Sequence, residues 1–156
     1  MNLLALDAST VATGYALFTD GEHRRSGVYC PPPDLPWWQR VAAFERFLRA
    51  WGTAPGRVHA LAYEIARGDH GNGHTDRVLG ALECVARQAA DKYGWQFIEV
   101  NPQAVKATAC HKGALVYAAG VKGAPLDADN PGDEADAIGV ALVALGQIKE
   151  DTWTKS

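Results

Sequence analysis

At 156 residues the chain has the length of one domain, and enough of it to bury a core. Hydrophobic residues make up 47% and charged residues 21%; no run approaches a membrane span and residues 1–30 lack a secretory layout, so a cytoplasmic globular protein is expected. The formal net charge of −3 leaves a nucleic-acid partner open, because two divalent cations held by carboxylates would change it to +1.

In chain order, residues 2–7 (NLLALD) read as a buried strand that stops on a charge, Asp7. TGYALFTDGEHRRSGVY at 13–29 reads as two strands around a turn, since Asp20-Gly21 accepts the positive φ angles of a type I′ hairpin. Pro36 suits the first turn of a helix over 37–51, with Trp37, Val41, Phe44, Leu48 and Trp51 on one face and Trp38 off it. VHALAYEI at 58–65 reads as a second buried strand ending near a carboxylate, Glu64. The glycines of GDHGNG at 68–73 mark a loop, followed by a helix over 75–92 with Val78, Leu82, Val85 and Ala89 on one face and Gly94 ending it. WQFIEV at 95–100 is a further strand, and weaker helical patterns lie around 102–109 and 112–119. The last helix is expected from Pro131 to Ile148, with Ile138, Ala141, Leu142 and Leu145 as its core stripe. This order describes an α/β domain over 1–150 that opens with a hairpin, and a short tail at 151–156.

Cys30, Cys84 and Cys110 are odd in number and widely spaced, which gives neither a disulfide framework nor a zinc signature. Partly buried thiols in a reducing compartment are expected.

Four carboxylates fall at the ends of elements. Asp7 and Glu64 end strands, and α/β sites form beyond the carboxyl ends of parallel strands. Asp133 and Asp136, three residues apart, share one face of the last helix. Together at one rim, these like charges would repel unless cations held them, and hard oxygen ligands suit magnesium or manganese. Each has a plainer reading: Asp7 as a turn former, Asp133 and Asp136 as charges favoured at a helix N-terminus. Glu64 is harder to set aside, because an unpaired buried carboxylate is costly.

LLALDASTVATGYALF at 3–18 resembles the first motif of RuvC-type Holliday junction resolvases, an aspartate ending the first strand followed by Thr-Gly-Tyr. AYEI, VNPQAVKATA and DEADAIGVAL resemble the other motifs of that family, in its order and over residues 3 to 145. The resemblance implies an RNase H-like fold, with a five-stranded mixed sheet, an N-terminal β-hairpin and helices on both faces. It implies a homodimer that nicks four-way or other branched DNA in pairs, with two magnesium ions held by Asp7, Glu64, Asp133 and Asp136 and no nucleotide cofactor. The nicks would carry 5′-phosphate and 3′-hydroxyl ends. Lys106 matches the family lysine of the Val-Lys segment and Lys112 the second basic position there; both are given phosphate contacts.

Two departures from the pattern stand out. ATACHKGA shortens the loop between the two lysines. No Phe, Tyr or Trp lies between Glu64 and Tyr93, where the family often carries an aromatic wedge. That region instead offers Arg67, His70, Asn72, His74 and Arg77 for phosphate or base contacts. His70 and His74 have a spacing that zinc could use on a helix, but the glycines between them oppose one.

Three other functions compete. DASTVATGYALF also resembles the first phosphate loop of sugar kinase and actin-like ATPases, whose sites need two large lobes. An RNase H or transposase-like nuclease would want a carboxylate on the first long helix, where Glu45 is the candidate. A silent DNA-binding scaffold would have no use for the clustered carboxylates.

Overall fold

The computed structural model describes residues 1–66, 72–109 and 114–153. Arg67, His70, Cys110 and Lys112 fall outside the described residues. Five strands are present: β1 (Asn2–Ala8), β2 (Thr13–Thr19), β3 (Glu22–Tyr29), β4 (Ala60–Glu64) and β5 (Gln96–Val100). The helices are α1 (Trp37–Thr53), α2 (Gly73–Tyr93), α3 (Pro102–Ala109), α4 (Ala114–Lys122) and α5 (Pro131–Trp153). None of the described helices is long and apolar enough to cross a membrane.

The strands form one mixed sheet in the order β3-β2-β1-β4-β5. β1 pairs antiparallel with β2 and parallel with β4; β2–β3 is antiparallel and β4–β5 parallel. The hairpin forms where expected, with Asp20 at φ 52° and Gly21 at φ 83°, the two positive angles that a type I′ turn requires.

The period-2 alternation of the strands divides the core into two layers. Leu4, Leu6, Leu61 and Tyr63 point to one face, where Phe44 and Leu48 of α1 and Val78, Leu82 and Ala86 of α2 cover them. Ala5, Ala16, Ala60 and Ala62 point to the other and meet Ala137, Ile138, Ala141 and Ala144 of α5. Small side chains on both sides of this second layer let α5 lie close to the sheet. Closest of all is Gly14, where an added Cβ would stand 1.9 Å from the Asp133 carbonyl oxygen.

Several boundaries and stripes differ from the sequence reading. α2 starts at Gly73 because Asn72 caps it, its side-chain oxygen accepting from the backbone N–H groups of His74 and Thr75. Gly94 closes the same helix in the left-handed conformation, as expected. The buried stripe of α2 runs Val78, Leu82, Ala86 and Ala90 with Ala89 beside it, and leaves Val85 half-buried at its edge. α5 continues to Trp153, past the expected end at Ile148 and through the first part of the expected tail, since no glycine or proline follows to stop it. Its core stripe is drawn from alanines and valine as well as Ile138, leaving Leu142 and Leu145 half-buried. Cys30 and Cys84 are free and exposed, not partly buried.

Candidate active site

Parallel pairing puts the carboxyl ends of β1 and β4 side by side, with Leu6 opposite Tyr63. Asp7 and Glu64 each follow by one residue, so both reach the same rim of the sheet. The chain then turns away from Asp7 through Ser9, whose hydroxyl donates to the Ala12 carbonyl oxygen at 2.9 Å and accepts from the Ala12 N–H at 3.1 Å. Ser9 closes this turn, so the turn-forming role is not what places Asp7 there.

Between this rim and the start of α3 lies a cleft of about 390 Å³, lined by Asp7, Ser9, Glu64, Asn101, Gln103 and Lys106, with Leu79 of α2 on its wall. Asn101 shapes the α3 side by accepting the Gln103 N–H at 2.9 Å. Asp133 and Asp136 come from the first turns of α5, on the opposite face of the sheet from α2. The pairing of Asp7 with Gly14 and the closeness of Gly14 to the Asp133 backbone bring that helix start to the same rim.

The four carboxylates feel one another. Burial, then Glu64, Asp136 and Asp133, push the Asp7 carboxyl up to about 8. Burial and Asp136 raise Glu64, and burial and Asp133 raise Asp136; the Lys106 ammonium opposes both shifts. Asp133 is raised by burial and by Asp127. Burial, helped by Glu83 and Asp7, also raises the Tyr63 phenol beneath the rim and keeps it neutral.

In kind, these donors fit magnesium or manganese: hard carboxylate oxygens whose mutual repulsion a divalent cation would relieve. In placement, Asp7 and Glu64 line the cleft while Asp133 and Asp136 stand at the start of α5, and no three His, Cys, Asp or Glu among the described residues close on one point.

Of the remaining expected contacts, Lys106, Asn72, His74 and Arg77 lie among the described residues. Lys106 is exposed in the last turn of α3 and faces the cleft. Asn72 is exposed and caps α2; His74 and Arg77 are exposed on the first two turns of α2. Glu45, the carboxylate an RNase H would need, is elsewhere: it borders a groove with Gln88, Lys92 and Tyr93, toward the far end of α2.

No family model matches the sequence, and no curated protein matches it. Solved structures do. Thermus thermophilus RuvC in complex with a Holliday junction substrate superposes with a TM-score of 0.77 at 19% identity, covering 96% of each chain. The chain has the RuvC fold. A second structure of Thermus thermophilus RuvC gives a TM-score of 0.73 at 18% identity, over 97% of this chain and 98% of that one. The yeast mitochondrial Holliday junction resolvase gives 0.61 at 13% identity, over 95% and 80%. The expected RNase H-like architecture of RuvC is therefore present over nearly the whole chain.

One buried carboxylate was passed over by sequence reasoning. Glu134, between the two α5 aspartates, is completely buried. It accepts from the Ser26 hydroxyl at 2.6 Å and pairs with the Lys122 ammonium at 2.8 Å. Its other oxygen accepts the Asp127 N–H at 2.5 Å. It faces away from the cleft and ties β3, α4 and the start of α5 together. Ser26 lies 108 residues away in sequence, so no local pattern reveals the pairing.

Proposed function

We propose that the chain is a metal-dependent, structure-selective endonuclease that cuts paired strands of four-way junctions, and of other branched DNA, as a homodimer. One observation carries this reading: Asp7, Glu64, Asp133 and Asp136 stand at one rim of a RuvC fold, where Glu64, Asp136 and Asp133 raise the Asp7 carboxyl, Asp136 raises Glu64 and Asp133 raises Asp136. The likeness to RuvC bound to a Holliday junction supports branched DNA as the substrate.

Asp7, Glu64, Asp133 and Asp136 would hold two magnesium ions, for which manganese would substitute. Bound there, the ions supply Lewis acidity that makes water nucleophilic at neutral pH and stabilises charge on a departing oxygen. The chain's own groups do the rest. Lys106 contacts a phosphate at the mouth of the cleft and opposes the upward shifts of Glu64 and Asp136, favouring the ionised form that a cation needs. Exposed His74 and Arg77 extend the contact surface along α2 and position the backbone. Water adds to phosphorus, the P–O3′ bond breaks and the proton ends on the 3′ oxygen, leaving 5′-phosphate and 3′-hydroxyl ends. Each chain carries one set of carboxylates, so paired incisions call for two copies.

The test offers purified protein a labelled four-way junction, a fork and a linear duplex, in magnesium, manganese or EDTA. Cleavage of branched substrates, dependent on metal and lost in Asp7→Asn while binding persists, is the expected result. No cleavage of any branched substrate in either metal would overturn the reading.

A further inference from the structure

Resting on the nuclease reading, one arginine behind the cleft bears on how fast bound DNA is cut. The turn between β1 and β2 borders two cavities. Ser9 lines the cleft beside Asp7. Ser9, Thr10 and Ala12 also line a second cavity of about 10 Å³, together with Tyr29, Arg40 and Phe44. The turn begins where the β1–β2 ladder ends, since Ala8 pairs with Thr13, and the next rung back is Asp7 with Gly14. Its tilt therefore sets the cleft wall next to Asp7.

Ser9 knots the turn internally. Its N–H donates to the Ala12 carbonyl oxygen at 2.9 Å, and its hydroxyl bonds both the N–H and the carbonyl oxygen of Ala12. These bonds fix the turn's shape and leave its tilt open. Arg40 joins it to another element, with Nη1 donating to the Thr10 carbonyl oxygen at 2.6 Å. A charged donor makes this the stronger kind of hydrogen bond. Arg40 can serve as a fixed post because its own N–H donates to the Pro36 carbonyl oxygen at 3.1 Å, and α1 is sunk in the core through Ala43, Phe44 and Leu48. The guanidinium is held there against a penalty, for its Nε is buried with no hydrogen-bond partner among the described residues. Packing alone does not call for that, since an apolar side chain would fill the space without an orphaned donor.

We propose that Arg40 is a positioning residue that holds the Ser9–Ala12 turn from behind, as the cleft wall against which the cleaved strand is aligned with Asp7. Arg40 borders the small cavity and not the cleft, so it meets the substrate only through the turn. Junction affinity is spread over many phosphate contacts and tolerates a tilted wall, whereas the chemical step is sensitive to displacements of an ångström. Arg40 therefore acts on the rate at which bound DNA is cut and not on its affinity.

The experiment measures single-turnover cleavage of a labelled four-way junction at saturating protein, at a temperature where circular dichroism shows every variant folded. Junction affinity is measured separately in an Asp7→Asn background. Arg40→Ala and Arg40→Met should each cut about ten-fold more slowly, with affinity as in the parent. Ethylguanidinium, too dilute to unfold the protein, should restore much of the rate to Arg40→Ala, whose slot is open, and none to Arg40→Met, whose stem fills it. Arg40→Lys returns one charged donor and should cut faster than either. A lowered melting temperature with a parental cleavage rate marks a merely structural role and would overturn the proposal. So would a loss of affinity at a parental rate, which makes Arg40 a DNA contact. A slowed rate that neither Arg40→Lys nor ethylguanidinium recovers would overturn it as well. If the parent neither binds nor cuts branched DNA, the proposed function falls and the role of Arg40 with it.

Discussion

Gly14 lies opposite Asp7 in the β1–β2 register and directly against the backbone of Asp133, where an added Cβ would come within 1.9 Å of the carbonyl oxygen. The spacing between two members of the acidic group is therefore set by a missing side chain. Both neighbours are backbone in regular structure, so neither can swing aside. Gly14→Ala is expected to displace the start of α5 and to destabilise the fold by about 1–3 kcal/mol in urea denaturation. Junction cleavage should fall by about a hundred-fold where the variant is still folded, as reacting groups misplaced by an ångström do. Cleavage at the parental rate would show that the spacing is set elsewhere.

The raised Asp7 carboxyl gives the metal-free protein an unusual pH dependence. From its ordinary 3.8 up to about 8, the folded state keeps a proton that the unfolded state has lost. Stability therefore falls as pH rises through that window and levels off above it. Glu64, Asp133 and Asp136 shift in the same direction. In EDTA, the melting temperature should decline between pH 5 and pH 8. Asp7→Asn should flatten the decline and melt higher than the parent at pH 8, while adding magnesium to the parent should raise its melting point there. A parental melting point that climbs across the window in EDTA would contradict the assignment.

Lys106 is the cation that opposes the upward shifts of Glu64 and Asp136. Replacing it with Met keeps the stem and removes the charge. Both carboxyls then hold their protons to higher pH, whereas the proposed metal binding needs them ionised. The acid limb of the cleavage–pH profile should move to higher pH in Lys106→Met, with cleavage at pH 8 down by about a hundred-fold. An unshifted acid limb would leave Lys106 only a phosphate contact.

The sequence made visible those parts of the site that rest on local pattern. Asp7 and Glu64 announced themselves by ending apolar runs on a charge, and Asp133 and Asp136 by sharing a helical face. Asp20-Gly21 stated its own turn, since few other pairs accept both positive φ angles. What pairing decides was hidden. Nothing near Asp7 says that Gly14 must lack a Cβ, because the obstacle is a carbonyl more than a hundred residues away. Trp37 could be placed on the buried face of α1, but its ring partner His74 belongs to another helix and became visible only when α1 packed on α2.

Glu134 shows the same limit and yields a prediction about stability. Buried completely, its carboxylate holds Ser26 of β3, Lys122 of α4 and the Asp127 N–H ahead of α5. Burial alone would raise its pKa, but the hydrogen bonds from Lys122, Ser26 and Asp127 outweigh that and bring it below its ordinary 4.5. The folded state therefore favours the ionised form. Its stabilising contribution is present above pH 4.5 and lost as pH falls below that, opposite in sign to that of Asp7. Glu134→Ala leaves a half-buried ammonium and a backbone N–H without their acceptor, and should cost about 3 kcal/mol in urea denaturation at pH 7. Lys122→Met should be harmful by itself, since it strands the carboxylate. The double substitution Glu134→Ala with Lys122→Met should lose less than the two single losses added together. Strict additivity would mean that the ion pair carries no coupling, and that Ser26 and the Asp127 N–H hold the carboxylate without help from Lys122.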